Sequence, residues 1–270
     1  MGIWGLKMND KFDISKFENI IKIFPVEWFE NENNKEHVLF KINKRLKDNL
    51  TKRVKENLEY LESANKLLGI LKRENLISKD IKTKLKNPPQ FEDTLSEIKV
   101  ASHLISNKIK KLKLGKSFPD IELTDQNVII EVKNLHSAQK WLDSNGEVVC
   151  LDDIGRMRSK VEEILPKLEG SKVNIILFDV TGAGVSFEEF KDLCIYSEKI
   201  TINLQTKEVV PLFKGEFSKE ENKNISAVVM LKDMLKDWYF KGLINPLSDK
   251  TIPDNIKKLF NLIDVEEYIG

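Results

Sequence analysis

The chain has 270 residues, 41% hydrophobic and 32% charged, with 44 basic and 43 acidic side chains and a formal net charge of +1. That composition excludes a disordered chain, and the length allows a core large enough to fold without covalent staples. Two cysteines, Cys150 and Cys194, lie far apart with no CxxC spacing, which excludes a disulfide framework and a cysteine-based zinc site. No apolar run is long enough to span a bilayer, and the opening Met1-Gly-Ile-Trp-Gly-Leu-Lys lacks the apolar core of a signal peptide. A cytoplasmic location, with no membrane partner, is the expectation. The near-neutral total hides an asymmetry. Through Gln90 there are 19 basic and 13 acidic residues; beyond it there are 25 and 30. A basic part suits a phosphate backbone and an acidic part suits a hard cation, although a well-solvated helical surface gives the same counts.

From Phe12 to Lys86 the pattern is helical. Leu39, Ile42, Leu46, Leu50, Val54, Leu58 and Leu61 recur at three- and four-residue steps, which predicts an amphipathic helix over 38–61. Lys41, Lys44, Arg45, Lys47, Lys52, Arg53 and Lys55 make its other faces basic, fitting either nucleic acid or solvent. Ser78 is an N-cap candidate for a short helix. Asn87-Pro88-Pro89 breaks the pattern, so the expected division is a helical domain over 1–89 and a second domain over 90–270.

Past the break, helices and strands alternate. A helix is expected over about 92–106. Strands follow near Asp120–Leu123 and Val128–Lys133, with a turn at Thr124-Asp125-Gln126-Asn127 and a third strand near Trp141–Cys150. Asp152-Asp153 opens a helix, Val173–Val180 is a buried strand, Ser186-Phe-Glu-Glu189 is a capping box, and Ile225–Leu231 is another strand. The tail adds a helical segment. The expected class is α/β, a mixed sheet covered on both faces by helices.

The chemistry concentrates in the hairpin. Alternation along the strand turns Glu131 and Lys133 to one face and Val128, Ile130 and Val132 to the other. A turn centred on Asp125 and Gln126 pairs Leu123 with Val128 and Ile121 with Ile130, and places Asp120 opposite Glu131. Directly paired Cβ atoms lie about 4.5–5.5 Å apart. Two carboxylates that close repel, and a divalent cation sharing their oxygens removes the conflict. Such a metal lowers the pKa of a bound water and polarises a phosphate, while Lys133 can steady charge developing on it. Glu97 shares a helix face with Val100, Ala101 and Leu104, where a carboxylate needs a partner such as a metal or Lys133.

Residues 92–133 resemble the core of the PD-(D/E)xK (restriction endonuclease-like) nuclease superfamily. The resemblance rests on a helix bearing Glu97, then Pro119-Asp120, then Glu131-Val132-Lys133. It implies a sheet opening helix-strand-strand-strand-helix-strand. It also implies Mg²⁺, with Mn²⁺ substituting, on Asp120, Glu131 and the Val132 carbonyl, with Lys133 catalytic and Glu97 a supporting acid and further ligand. Arg158 and Lys160 on the following helix, and Lys113 and Lys116 in the basic stretch Asn107–Lys116, are candidate phosphate contacts. A dimer would bring two such sites together for duplex cleavage. The expected activity is metal-dependent hydrolysis of phosphodiesters, in DNA rather than RNA. An RNA-directed nuclease of the same fold and a non-catalytic nucleic-acid-binding or scaffold protein are the alternatives.

Overall fold

The computed structural model describes residues 12–48, 54–109, 111–115, 118–135, 153–181, 183, 185–195, 200–202, 209–211, 215–234 and 237–265. The chain forms two compact units, Met1–Ser102 and His103–Gly270. Among the described residues, no helix is long and apolar enough to cross a membrane.

The first unit is helical. It contains α1 (Glu18–Ile21), α2 (Val38–Lys47), α3 (Val54–Arg73), α4 (Lys79–Lys86) and most of α5 (Pro88–Ser106), with short 3-10 turns ahead of α2. The stripe predicted over 38–61 is divided between α2 and α3. Leu39, Ile42, Leu46 and Leu61 are buried as expected, whereas Val54 is exposed. Positions 49–53, which include Lys52 and Arg53, lie outside the described residues. Local acids meet much of the basic surface: Lys41 sits 3.3 Å from Glu36 and Lys44 3.7 Å from Glu32. Ser78 caps α4 by accepting from the Ile81 N–H at 3.2 Å. Asn87 ends that helix, and α5 begins at Pro88, four residues earlier than expected. Proline suits the first turn of a helix, whose N–H groups have no intrahelical acceptor anyway.

Within this unit His37 is fully buried. Its ring meets Phe24, Trp28 and Phe91 with centroids 5.3, 4.8 and 4.5 Å away. Nδ1 accepts from the Leu39 N–H at 3.2 Å, capping α2, and Nε2 bonds to the Leu85 carbonyl at 2.8 Å. A carbonyl can only accept, so the proton sits on Nε2 and the ring is neutral. Burial pushes its pKa down to about 4, against a smaller upward pull from the Leu85 carbonyl.

The second unit is α/β. Its strands are β1 (Leu112–Leu114), β2 (Ile121–Leu123), β3 (Val128–Asn134), β4 (Val173–Asp179), β5 (Ile200–Ile202), β6 (Val209–Pro211), β7 (Ala227–Met234), β8 (Asp237–Ile244) and β9 (Leu262–Asp264). Its further helices are α6 (Asp153–Ile164), α7 (Phe187–Cys194) and α8 (Asp254–Leu259). Seven strands form one mixed sheet in the order β1-β2-β3-β4-β7-β8-β9, and β5 pairs with β6 alone. The first three strands pair antiparallel, β3-β4-β7 run parallel, β8 returns antiparallel and β9 runs parallel to β8.

The third strand beside the hairpin precedes it, at Leu112–Leu114, within the basic stretch Asn107–Lys116. The strand expected near Trp141–Cys150 lies outside the described residues. Strand β8, which carries Trp238-Tyr239-Phe240, was not among the expected strands.

One sheet face packs on α6 and α7. Ile176, Phe178, Val228 and Met230 meet Met157, Val161 and Ile164 from α6, and Phe190 and Leu193 from α7. The expected capping box opens α7, with Ser186 and Glu189 bonded reciprocally. On the other face the His103 ring stacks on Phe240 at 4.2 Å, and Phe240 meets Phe260 at 5.5 Å.

Gly242, on β8 between β7 and β9, is fixed by close approach. A Cβ there would lie 2.7 Å from the Val228 carbonyl oxygen and 2.6 Å from Leu262 Cδ2. Backbone cannot yield as a side-chain tip can. Gly242→Ala is therefore expected to destabilise the protein by about 2 kcal/mol, read as a lower midpoint in urea unfolding.

Candidate active site

The hairpin register is the predicted one: Ile121 faces Ile130 and Leu123 faces Val128. Asn127 closes the turn with φ of 53°, a left-handed conformation that asparagine tolerates. The paired ladder stops at Ile121, and Asp120 continues it with its side chain. Asp120 Oδ2 accepts the Val132 N–H at 2.9 Å, and the Asp120 N–H donates to Glu131 Oε2 at 3.3 Å. The two acids are thus locked to each other's strands. Both are buried, at 8% and 4% exposure, which sets them apart from the surface acids of an ordinary hairpin.

Lys133 completes the cluster. Its Nζ lies 2.8 Å from Glu131 Oε1. Burial works against its charge, but the hydrogen bond and charge of Glu131 outweigh it, with Asp120 and Glu163 adding to them, so the ammonium titrates above its usual range. Lys133 is therefore a cation and a hydrogen-bond donor to Glu131 at neutral pH.

Val132 contributes backbone. The N–H and C=O of one strand residue point to the same edge, and the Val132 N–H reaches Asp120, so its carbonyl also faces the β2 side. The residue opposite it in an extended register is Pro119, which has no N–H to donate. The donor set is two carboxylates and one carbonyl on adjoining strands. Among the described residues no group of three or more His, Cys, Asp or Glu side chains is placed to hold a metal ion. The set nonetheless fits Mg²⁺, which takes one or two carboxylates and completes its shell with water and substrate oxygens. An ionised carboxylate offers about four acceptor positions, so the bonds already made leave capacity for a cation.

The remaining predicted residues fall in several places. Glu97 is buried on α5 in the Met1–Ser102 unit, where Lys84 sits 3.4 Å away and supplies the partner its burial demands. Arg158 is half-buried on α6. Lys160 is bound 2.9 Å from Glu163 on the same helix. Lys113 is exposed on β1 opposite Glu122. Lys116 lies outside the described residues.

Two further residues of α6 bear on the cluster and its surroundings. Glu163 acts on Lys133 through its charge, and its own pKa is lowered, first by the hydrogen bond from Lys160. Arg156 bonds Asp153 at 2.8 Å and also the carbonyl of Leu135, tying the start of α6 to the end of β3. The Asp153–Arg156 spacing was visible in the sequence, but the contact with Leu135 depends on how the chain returns. Comparison with known proteins finds no matching family model, no matching curated protein and no matching solved structure.

Proposed function

We propose that the chain is a metal-dependent nuclease with a restriction endonuclease-like core, hydrolysing phosphodiester bonds in DNA. One observation carries the reading: Asp120 and Glu131, two buried acids on adjacent strands, are interlocked by hydrogen bonds and share the field of one partly buried lysine. A structural salt bridge needs one acid for one lysine, not two acids held out of water. Among the described residues the order α5-β1-β2-β3-α6-β4, with Asp120 just before β2 and Glu131 and Lys133 in β3, agrees with the layout that the resemblance implies.

Asp120, Glu131 and the Val132 carbonyl would hold Mg²⁺ or Mn²⁺, which when bound supplies an acidified water and a polarised phosphate. Lys133, kept charged and aimed by Glu131, orients the attacking water and stabilises negative charge accumulating on the phosphoryl oxygens. Asp120 fixes the β3 backbone at Val132, and so holds the neighbouring Glu131 and Lys133 in place.

The test is cleavage of supercoiled plasmid, linear duplex, single-stranded DNA and RNA with Mg²⁺, Mn²⁺ or EDTA. Asp120→Asn keeps the acceptor for the Val132 N–H but removes the charge. We expect wild type to cut DNA only with metal, and Asp120→Asn to lose about 10³-fold in rate with its fold intact by circular dichroism. Cleavage unchanged in Asp120→Asn would refute the assignment, and cleavage confined to RNA would change the substrate.

A further inference from the structure

Several lysines of the His103–Gly270 unit lie against carboxylates: Lys133 on Glu131, Lys160 on Glu163, Lys172 on Glu122 and Lys219 on Glu216. Lys108, Lys111 and Lys258 behave differently. Among the described residues none of the three has an ion-pair partner, yet all three line one cleft of about 620 Å³. Asn107, Gln126 and Asn255 add amide groups to its wall, and Asp125 is its one acid among the described residues. The part of the chain that builds this cleft is net acidic, with 25 basic against 30 acidic residues beyond Gln90.

Four separate segments build the cleft: the end of α5, the approach to β1, the β2–β3 turn and α8. Thr124 secures Lys111 over the turn, its N–H and Oγ1 donating to the Lys111 carbonyl at 3.0 and 3.4 Å. Asn255 Nδ2 reaches Gln126 Oε1 at 3.3 Å, joining α8 to the same turn. The cleft therefore lies at the opposite end of the β2–β3 hairpin from Asp120 and Glu131.

Lys108 carries the second observation. It closes α5 with φ of 67°, its N–H on the Ile105 carbonyl and the next N–H on the Leu104 carbonyl. That position normally takes glycine, and asparagine is the usual substitute. The other three non-glycine residues with positive φ among the described residues, Asn75, Asn127 and Asn261, follow the rule. A lysine held in the left-handed region gives up backbone stability for a charge at this spot, the kind of outlier that marks a functional position.

We infer that this cleft binds phosphate groups of a nucleic-acid backbone, a second contact beyond the hydrolytic site. The proposal rests on the nuclease reading only for the identity of the polyanion. Lysine ammoniums act on phosphates as point charges with released counterions. The amides add hydrogen bonds without favouring a base sequence.

The experiment measures binding of a short labelled duplex to the full chain in EDTA by fluorescence anisotropy across a salt series. The proteins are wild type, Asp120→Asn, Lys108→Gly, and the triple variant Lys108→Gly/Lys111→Gln/Lys258→Gln. The slope of log K against log salt should become shallower by about 0.9 in Lys108→Gly and about 2.7 in the triple variant. The thermal midpoint of Lys108→Gly should stay level or rise, because glycine relieves the backbone. If these lysines only offset the C-terminal dipoles of α5 and α8, the midpoints will fall and the slopes will not move, which overturns the proposal. Titration with inorganic pyrophosphate separates the sources. Saturable pyrophosphate binding lost in the triple variant, with duplex slopes unchanged, would assign the cleft to a free polyphosphate and overturn the backbone assignment. Shallower slopes in a chain that cleaves nothing would keep the cleft and sink the nuclease reading.

Discussion

Lys133→Met is expected, on the proposed nuclease reading, to cleave DNA about 10³-fold more slowly than wild type in single-turnover assays, the loss typical of removing one preorganised charge donor from a reacting phosphate. The same change leaves Glu131 buried without the ammonium at 2.8 Å. Breaking a buried pair on one side costs about 3 kcal/mol, so the metal-free variant should also unfold at lower urea. The two losses separate in a metal titration. Glu131, relieved of Lys133, keeps its oxygens for the cation, so Mn²⁺ affinity should hold while the rate falls. Lys133→Arg is the companion variant. It preserves the charge and most of the stability, but a planar guanidinium cannot present a donor where a compact ammonium did, and the rate should remain low. Full activity in Lys133→Arg would mean that charge alone matters and that the aim given by Glu131 does not.

The second large effect is in the N-terminal unit and depends on pH. The pKa of His37 is 6.5 in its ordinary state and about 4 in the fold, pushed down mainly by burial. Between those values the unfolded chain binds a proton that the folded chain refuses, so stability is intact above pH 6.5 and is lost as pH falls toward 4. The difference corresponds to about 3 kcal/mol. Urea unfolding followed by tryptophan fluorescence at pH 7 and at pH 4.5 should show it. His37→Gln, which has no proton to gain, should start less stable at pH 7 and lose far less on acidification. An equal acid sensitivity in His37→Gln would assign the effect to carboxylates elsewhere.

The hairpin was legible because two rules coincide there. Ile121, Leu123, Val128 and Ile130 are buried on one side only if the turn falls at Asp125-Gln126, and that register carries Asp120 to Glu131 without further assumption. Capping boxes and buried strands were legible for a similar reason, since their signals lie within a few residues. Strand β1 was obscured because Lys111 and Lys113 flank Leu112, and on an edge strand charged residues are normal. Strand β8 was obscured because Gly242 reads as a break in a strand when its cause, the Val228 carbonyl, is far off in sequence. The neighbour of Glu97 could not be read from its helix face, because a buried acid requires a cation without specifying which one, and Lys84 lies 3.4 Å from it. The cleft over Gln126 was invisible for the same reason: Lys258 is remote in sequence from Lys108 and Lys111.

The interlock between Asp120 and Glu131 spans a sequence separation of only 11 residues, and Lys133 lies two beyond. Closing so short a loop costs little chain entropy, so this hairpin can form well before the parallel pairings of β3 with β4 and β4 with β7, which need long crossovers. During that interval the two acids are wet, and their repulsion is screened by solvent. The energetic conflict between them arises only when α6 and the sheet close over the hairpin. Assembly of the site thus begins as a local event and becomes costly late, which places its electrostatic burden on the final docking step of folding and not on nucleation.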